Sequence, residues 1–368
     1  MTKVRHVLGI SGGKDSAALA IYLRQKHPDL DIEYYFTDTG KELDETYQVI
    51  ENLESYLGKK IEKLNAAEGS PENTFDHFLE LYGGFLPSSN ARWCMKKLKL
   101  EPFEQFVGTE FPVVSYVGIR GDEDRDGYIS KKSNIQSIFP FRRNIWSEEV
   151  VKKVLATSNQ KHLQSLCEKT LPSSFAQEAK KIAQMPLSLR FNQKQKLNAF
   201  LDVSVKGFNE LVFAYLQETS YPLSYLPDYT LLNNEDNLVR DDIFKLLEES
   251  GVGVPQYYQK REFEVDGKKG TYARSRSGCF FCFFQQKIEW VWLLENHPEL
   301  FTKAIAYEKD GYSWMDSETL LELSEPERVK RIKRDYIKKT ESQKSKSSPY
   351  LIDMLVEEEG VGCASCFI

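Results

Sequence analysis

Ser11-Gly12-Gly13-Lys14-Asp15-Ser16 sits between two segments of opposite character. Val4 to Ile10 is rich in β-branched and apolar residues and reads as a buried strand. Ala17 to Lys26 places Leu19, Tyr22 and Leu23 at helical spacing with no breaker. The hexapeptide is therefore a glycine turn between a strand and a helix N-terminus. Two adjacent glycines let the backbone approach a bulky anion and aim successive N–H groups at it. The helix start adds unpaired N–H donors and the positive end of its dipole. Lys14 brings a mobile charge, and Ser11 and Ser16 bring hydroxyls. This chemistry predicts a phosphate site.

Spacing excludes two familiar phosphate loops. A G-x-x-x-x-G-K-[ST] loop does not fit, because Gly9 stands too close to Lys14 and Asp15 replaces the Ser or Thr. The G-x-G-x-x-G spacing is also absent. The hexapeptide instead resembles the S-G-G-x-D-S signature of the PP-loop ATP pyrophosphatases. These cleave ATP between its α- and β-phosphates and hold the pyrophosphate in the loop. The resemblance implies ATP, with Mg²⁺, bound at Ser11, Gly12, Gly13, Lys14, Asp15 and Ser16. It gives Lys14 and Asp15 catalytic roles.

Asp31 to Thr37 reads as a second buried strand, ended by Asp38-Thr39-Gly40, with a helix from Glu45 to Leu57. This order follows the loop at one βαβ distance, as a doubly wound sheet requires. F-T-D-T-G-x-E at Phe36 to Glu42 is similar to a segment of the phosphoadenosine phosphosulfate reductases, themselves PP-loop proteins. The similarity implies adenine against the Phe36–Thr37 backbone and Asp38 near the nucleotide. Lys60 to Leu64 and Val113 to Ile119 read as further strands, and Phe75 to Leu81 as a helix. The expected fold is α/β: a doubly wound parallel sheet, PP-loop-like and Rossmann-like, with a helical insertion and a helical C-terminal part. The expected divisions are 1–146 (nucleotide-binding domain, first part), 147–238 (helical insertion), 239–310 (return to the core) and 311–368 (helical, basic C-terminal region).

Gly118-Ile119-Arg120 ends the strand from Val113. A planar guanidinium binds two oxygens at once, so Arg120 is a candidate for a phosphate or sulfate-like anion and for catalysis. The reductase family has a similar G-[IVL]-R segment followed by a second arginine, with Arg125 one position out of register. Cys94, Lys99 and Pro102 match another of its patterns, although many cluster-bearing members have two adjacent cysteines where this chain has Cys94-Met95. Gly278-Cys279-Phe280-Phe281-Cys282 is a metal-knuckle spacing. The tail ends Gly362-Cys363-Ala364-Ser365-Cys366-Phe367-Ile368. Two centres fit these cysteines. Cys94, Cys279 and Cys282 would hold a 4Fe–4S cluster, with Cys363 or Cys366 closing it, as the resemblance implies. Alternatively Cys279, Cys282, Cys363 and Cys366 would hold a structural Zn²⁺, as the paired Cys-x-x-Cys pattern implies.

Composition bounds the rest. The chain has 368 residues, 41% hydrophobic and 28% charged, enough for a sizeable core. A net charge of −6 excludes a nucleic-acid binder driven by overall charge but leaves a local patch. Lys330 to Lys346 carries eight Lys or Arg against two acids and is such a candidate for DNA or RNA. No run approaches a membrane span, and a strand starting near residue 4 leaves no room for a signal peptide. Six cysteines without a secretory signal favour metal or redox roles in the cytoplasm. The resemblance, over roughly 4–145 and 239–310, extends to the ATP-pyrophosphatase subunit of DNA phosphorothioation systems. It implies an ATP-dependent sulfurtransferase with a cysteine desulfurase as sulfur donor, acting on DNA or RNA directly or through a partner subunit. The alternatives are a phosphoadenosine phosphosulfate reductase and a non-catalytic nucleotide-binding subunit. The tail lacks the E-C-G-L-H of true sulfonucleotide reductases, which weighs against the former.

Overall fold

The computed structural model describes residues 2–124, 130, 132–309 and 311–345. Arg125, Cys363 and Cys366 lie outside the described residues. Five parallel strands form the central sheet: β1 (Arg5–Gly9), β2 (Ile32–Thr37), β3 (Ile61–Leu64), β4 (Val113–Tyr116) and β5 (Ile135–Ile138). Their order is β3-β2-β1-β4-β5. The winding direction therefore reverses between β1 and β4, and ligands of open α/β sheets bind at the carboxyl ends of strands at that reversal. β1 runs directly into the Ser11–Ser16 loop.

Side-chain alternation explains the layers. Leu8, Tyr34, Phe36, Val114, Tyr116 and Ile138 face one side, where they meet helix α1 (Lys14–Lys26) and α2 (Asp44–Leu57). Val7, Tyr35, Val113 and Ile135 face the other and meet Phe103 and Val107 of α5 (Glu101–Val107). Between them the chain forms α3 (Thr74–Leu81), α4 (Trp93–Met95) and a π-turn at Lys96–Leu100. Burial on both faces is what makes the strands near-continuous apolar runs.

Five helices follow β5: α6 (Glu148–Leu155), α7 (Gln160–Thr170), α8 (Ser173–Gln184), α9 (Gln193–Val203) and α10 (Val205–Leu216). They share the α1-side core, as do Ile243 and Leu247 of α11 (Arg240–Ser250). The chain then makes an antiparallel hairpin, β6 (Arg261–Val265) and β7 (Lys268–Tyr272). Four helices complete it: α12 (Lys287–Asn296), α13 (Pro298–Ile305), α14 (Leu320–Leu323) and α15 (Pro326–Ser345). This C-terminal part has its own aromatic core, including Phe75, Trp93, Phe281, Trp290 and Trp314. Among the described residues no helix is long and apolar enough to cross a membrane.

α15 carries the basic run as far as Ser345, Lys346 lying outside the described residues, and several of its charges are already paired. Lys333 meets Glu295, Arg334 meets Asp266 and Lys330 meets Glu327. Lys333 is buried over the rings of Phe263 and Tyr272. These contacts dock the helix on the hairpin and leave Arg331, Lys338 and Lys339 on its exposed side.

β1 and β4 approach closely at their carboxyl ends. A Cβ on Gly118 would stand 2.9 Å from the Asp15 carbonyl oxygen and 3.0 Å from its carbon. Both are backbone atoms, so the loop itself would have to shift. Gly118→Ala is expected to cost about 1–3 kcal/mol. Urea midpoints check this; a variant with an unchanged midpoint would contradict it.

Candidate functional site

The Ser11–Ser16 loop is built from one left-handed residue and a helix start. Gly12 has φ +68°, which L side chains rarely adopt. Gly13 caps α1, and the helix begins at Lys14 itself, three residues before the sequence reading starts it. Small hydroxyls hold the turn. The Ser11 N–H donates to Ser16 Oγ (3.1 Å) and the Gly13 N–H to Ser11 Oγ (3.3 Å). Ser16 Oγ donates to the Gly13 carbonyl (3.3 Å).

Residues far along the chain wall this loop. Tyr257 Oη donates to the Gly12 carbonyl (3.1 Å), and the Lys14 N–H reaches Tyr258 Oη (3.5 Å). A Cβ on Gly13 would strike Ser277 Oγ at 2.5 Å. Sequence reasoning assigned no role to Tyr257, Tyr258 or Ser277. Only the fold brings them to the loop, since their separations exceed 240 positions.

Lys14, Asp15 and Arg120 form one buried charge group. Lys14 Nζ lies 3.0 Å from Asp15 Oδ2 and 5.1 Å from the Tyr258 ring centre. Arg120 Nη1 reaches Asp15 Oδ1 (2.9 Å), its Nε reaches Asp122 Oδ1 (2.9 Å), and its Nη2 lies 3.6 Å from Glu123. Burial pushes the Asp15 carboxyl up, but the Lys14 and Arg120 charges outweigh it and hold the group below its ordinary value. The sequence reading offers Arg120 to an incoming anion. The structure instead turns its guanidinium toward carboxylates, which makes it the counter-ion that fixes Asp15.

The second motif lies alongside. β1 stops at Gly9 opposite Tyr35, so Phe36, Thr37 and Asp38 extend past it. Asp38 Oδ1 accepts from the Gly40 N–H (2.7 Å) and from Tyr47 Oη (2.9 Å), and Lys63 pairs with its other oxygen. Glu42 sits in the same buried corner, where Thr39 Oγ1 donates to it (2.7 Å). Burial and then the Asp38 charge push the Glu42 carboxyl up to about 7. The folded state thus favours protonated Glu42. That stability is complete below the ordinary carboxylate range and is lost as pH rises through the raised value. Glu42→Gln stays neutral, so it is expected to gain on the wild type between about pH 5 and about pH 8. Urea midpoints measured at both pH values test this; midpoints that move in parallel would contradict it.

The cysteine turn folds back onto this corner. Cys279 pairs with Glu42 through an isolated antiparallel bridge, and the Phe280 N–H donates to the Lys41 carbonyl (2.8 Å). Cys279 Sγ lies 3.2 Å from Thr39 Oγ1. Burial, then the Glu42 charge, raise this thiol well above its ordinary value. None of Cys94, Cys167, Cys279 and Cys282 is in a disulfide. Among the described residues no three His, Cys, Asp or Glu side chains gather in a group that could hold a metal ion. Cys94, Cys279 and Cys282 therefore do not fit a three-thiolate centre as arranged here.

Residues 5–168 match the phosphoadenosine phosphosulfate reductase domain. The matched segment contains the loop, Phe36 to Glu42, Cys94 and Arg120. An uncharacterized protein of Methanocaldococcus jannaschii is 36% identical over 145 residues, covering 36% of this chain and 28% of that protein. The tRNA-specific 2-thiouridylase MnmA of Actinobacillus succinogenes is 26% identical over 168 residues, covering 38% of this chain and 42% of that enzyme. The enzyme of the same name from Mannheimia succiniciproducens is 29% identical over 136 residues, covering 33% and 34%. The chain thus spans less than half the length of each of these relatives. Tyr257, Tyr258 and Ser277, which wall the loop, lie beyond the matched segment.

Proposed function

We propose that this chain is an ATP-dependent sulfurtransferase that replaces an acceptor oxygen with sulfur. The acceptor oxygen attacks the α-phosphorus of ATP, the bond to the bridging oxygen breaks, and pyrophosphate leaves into the Ser11–Ser16 loop. The outer sulfur of a persulfide then attacks the activated centre, AMP departs with the acceptor's oxygen, and a thiol reductant cleaves the resulting disulfide to leave the sulfur on the acceptor. The observation that carries this reading is the glycine loop opening α1 where the sheet reverses, within the segment that matches the phosphoadenosine phosphosulfate reductase domain. Likeness to two tRNA-specific 2-thiouridylases supports sulfur transfer as the chemistry.

Each residue has a stated task. A phosphate entering the loop displaces the Ser11 and Ser16 hydroxyls from its amides, and Lys14 swings to it from Asp15. Asp15, held ionised, would be the residue to hold Mg²⁺, which would neutralise charge developing on the phosphates. Adenosine lies along Phe36, Thr37 and Asp38. Catalysis then comes mainly from positioning and charge neutralisation.

The acceptor is a nucleic acid, DNA undergoing phosphorothioation or an RNA, and a cysteine desulfurase supplies the sulfur. Contact through the exposed side of α15 belongs to this proposal, as does a cytoplasmic setting. A metal centre on Cys279 and Cys282 would have to recruit Cys363 and Cys366; anaerobic iron, zinc and sulfide analysis identifies it. The domain match equally favours a second reading, reduction of phosphoadenosine phosphosulfate. ATP–pyrophosphate exchange supports the first reading. Sulfite release from phosphoadenosine phosphosulfate with a thiol reductant supports the second. Nucleotide binding with neither activity supports a regulatory subunit and overturns both.

A further inference from the structure

We infer that Arg274 is the cation that binds the α-phosphate of the nucleotide, reaching it from the cysteine turn. The inference rests on the nucleotide site proposed above. Arg274 is 2% exposed and is in no ion pair among the described residues. Its Nη2 donates to the Cys279 carbonyl (2.9 Å). Its Nε and Nη1 have neither solvent contact nor a hydrogen-bond partner. They are the only cationic atoms in that condition among the described residues. A buried charged donor left unpaired is among the costliest arrangements in a protein interior. An oxyanion at this place removes that cost, and two open N–H groups on a full positive charge are the donors it needs.

Position selects the oxyanion. The guanidinium carbon lies 5.9 Å from the ring centre of Tyr257, whose hydroxyl donates to the Gly12 carbonyl. One tyrosine therefore links Arg274 to the phosphate loop. On its other side is Cys279, paired with Glu42 and in contact with Thr39 at the end of β2. Arg274 thus stands between the loop and the β2 end. With pyrophosphate in the loop and adenosine along Phe36 to Asp38, the phosphate between them is the α-phosphate. That phosphorus is the reacting centre, so these N–H groups meet the charge that builds on its non-bridging oxygens.

The test titrates AMP, ATP and inorganic pyrophosphate into the full chain by calorimetry, for wild type, Arg274→Met, Arg274→Lys and Lys14→Met. Arg274→Met is expected to bind AMP and ATP about tenfold or more weaker while keeping its pyrophosphate affinity. Arg274→Lys should recover part of the AMP affinity, and Lys14→Met should lose pyrophosphate instead. If Arg274→Met does not fold, Arg274→Lys reads the same split between AMP and pyrophosphate. Equal loss of AMP and pyrophosphate, or no loss of either in a folded variant, overturns the role of Arg274 alone. A wild type that binds none of the three overturns the nucleotide site itself and the inference with it.

Discussion

Lys14→Met is expected to lower pyrophosphate release from ATP by about 10²–10³-fold while leaving the chain folded. The lysine is buried, with its ammonium between Asp15 and the Tyr258 ring. In that water-poor setting a charge aimed at a transferring phosphoryl group counts for far more than at the surface. Methionine fills the space of the lysine stem, and Asp15 keeps its contact with Arg120. The fold should therefore lose little while the chemistry loses much. Pyrophosphate release at saturating ATP, beside a thermal melt, separates the two. Turnover close to wild type in a folded variant would remove Lys14 from the mechanism.

Arg120→Met is expected to produce the largest loss of stability. Asp15, Asp122 and Glu123 all converge on this guanidinium at 2–8% side-chain exposure. Taking away one partner of a buried pair leaves uncompensated charge and costs about 3–5 kcal/mol. The sign with pH follows from Asp15. Its carboxyl is held below the ordinary value, so its contribution is present above the ordinary carboxylate range and is lost as pH falls through the depressed value. Without Arg120 that downward pull weakens, the carboxylate takes up a proton at higher pH, and the deficit of the variant shrinks on acidification. Denaturant unfolding at about pH 7 and about pH 4.5 measures both effects. A deficit that is small, or constant with pH, would contradict the role given to Arg120.

The parts of this fold legible in the sequence are those that act locally. Val4 to Ser16 announces a strand, a turn and a helix through apolar runs and paired glycines, and the structure places them within a residue or three. β5 is not legible in the sequence, because Ile-Gln-Ser-Ile is only four residues long and its Gln136 and Ser137 are buried by tertiary packing. The β6–β7 hairpin does carry a local signal. Phe263 and Val265 alternate with charged residues, and Asp266-Gly267 takes the left-handed turn at φ 50° and 73°. For the site, the loop itself was readable, whereas its walls were not. Nothing local in Tyr257-Tyr258 or Ser277 points to a partner more than 240 positions away. The carboxylates around Arg120 were visible as Asp122 and Glu123, but its contact with Asp15 exists only because β1 and β4 are neighbours.

The long sequence reach of the loop's walls sets an order of events during synthesis. β1 to β5 are complete by Ile138, and every pairing of the sheet lies within that length. The tyrosines and the serine that close over the loop emerge only with residues 257 to 277. At about 5–20 residues per second the ribosome needs roughly 7–30 s to cover that interval. For that time the nascent chain can hold all five strands while the Ser11–Ser16 turn still lacks its walls. Closing so long a loop is entropically unfavourable until the aromatic C-terminal core condenses to hold it. The walls of the loop are therefore added late, and a chain cut short before residue 257 holds every strand of the sheet but lacks Tyr257, Tyr258 and Ser277.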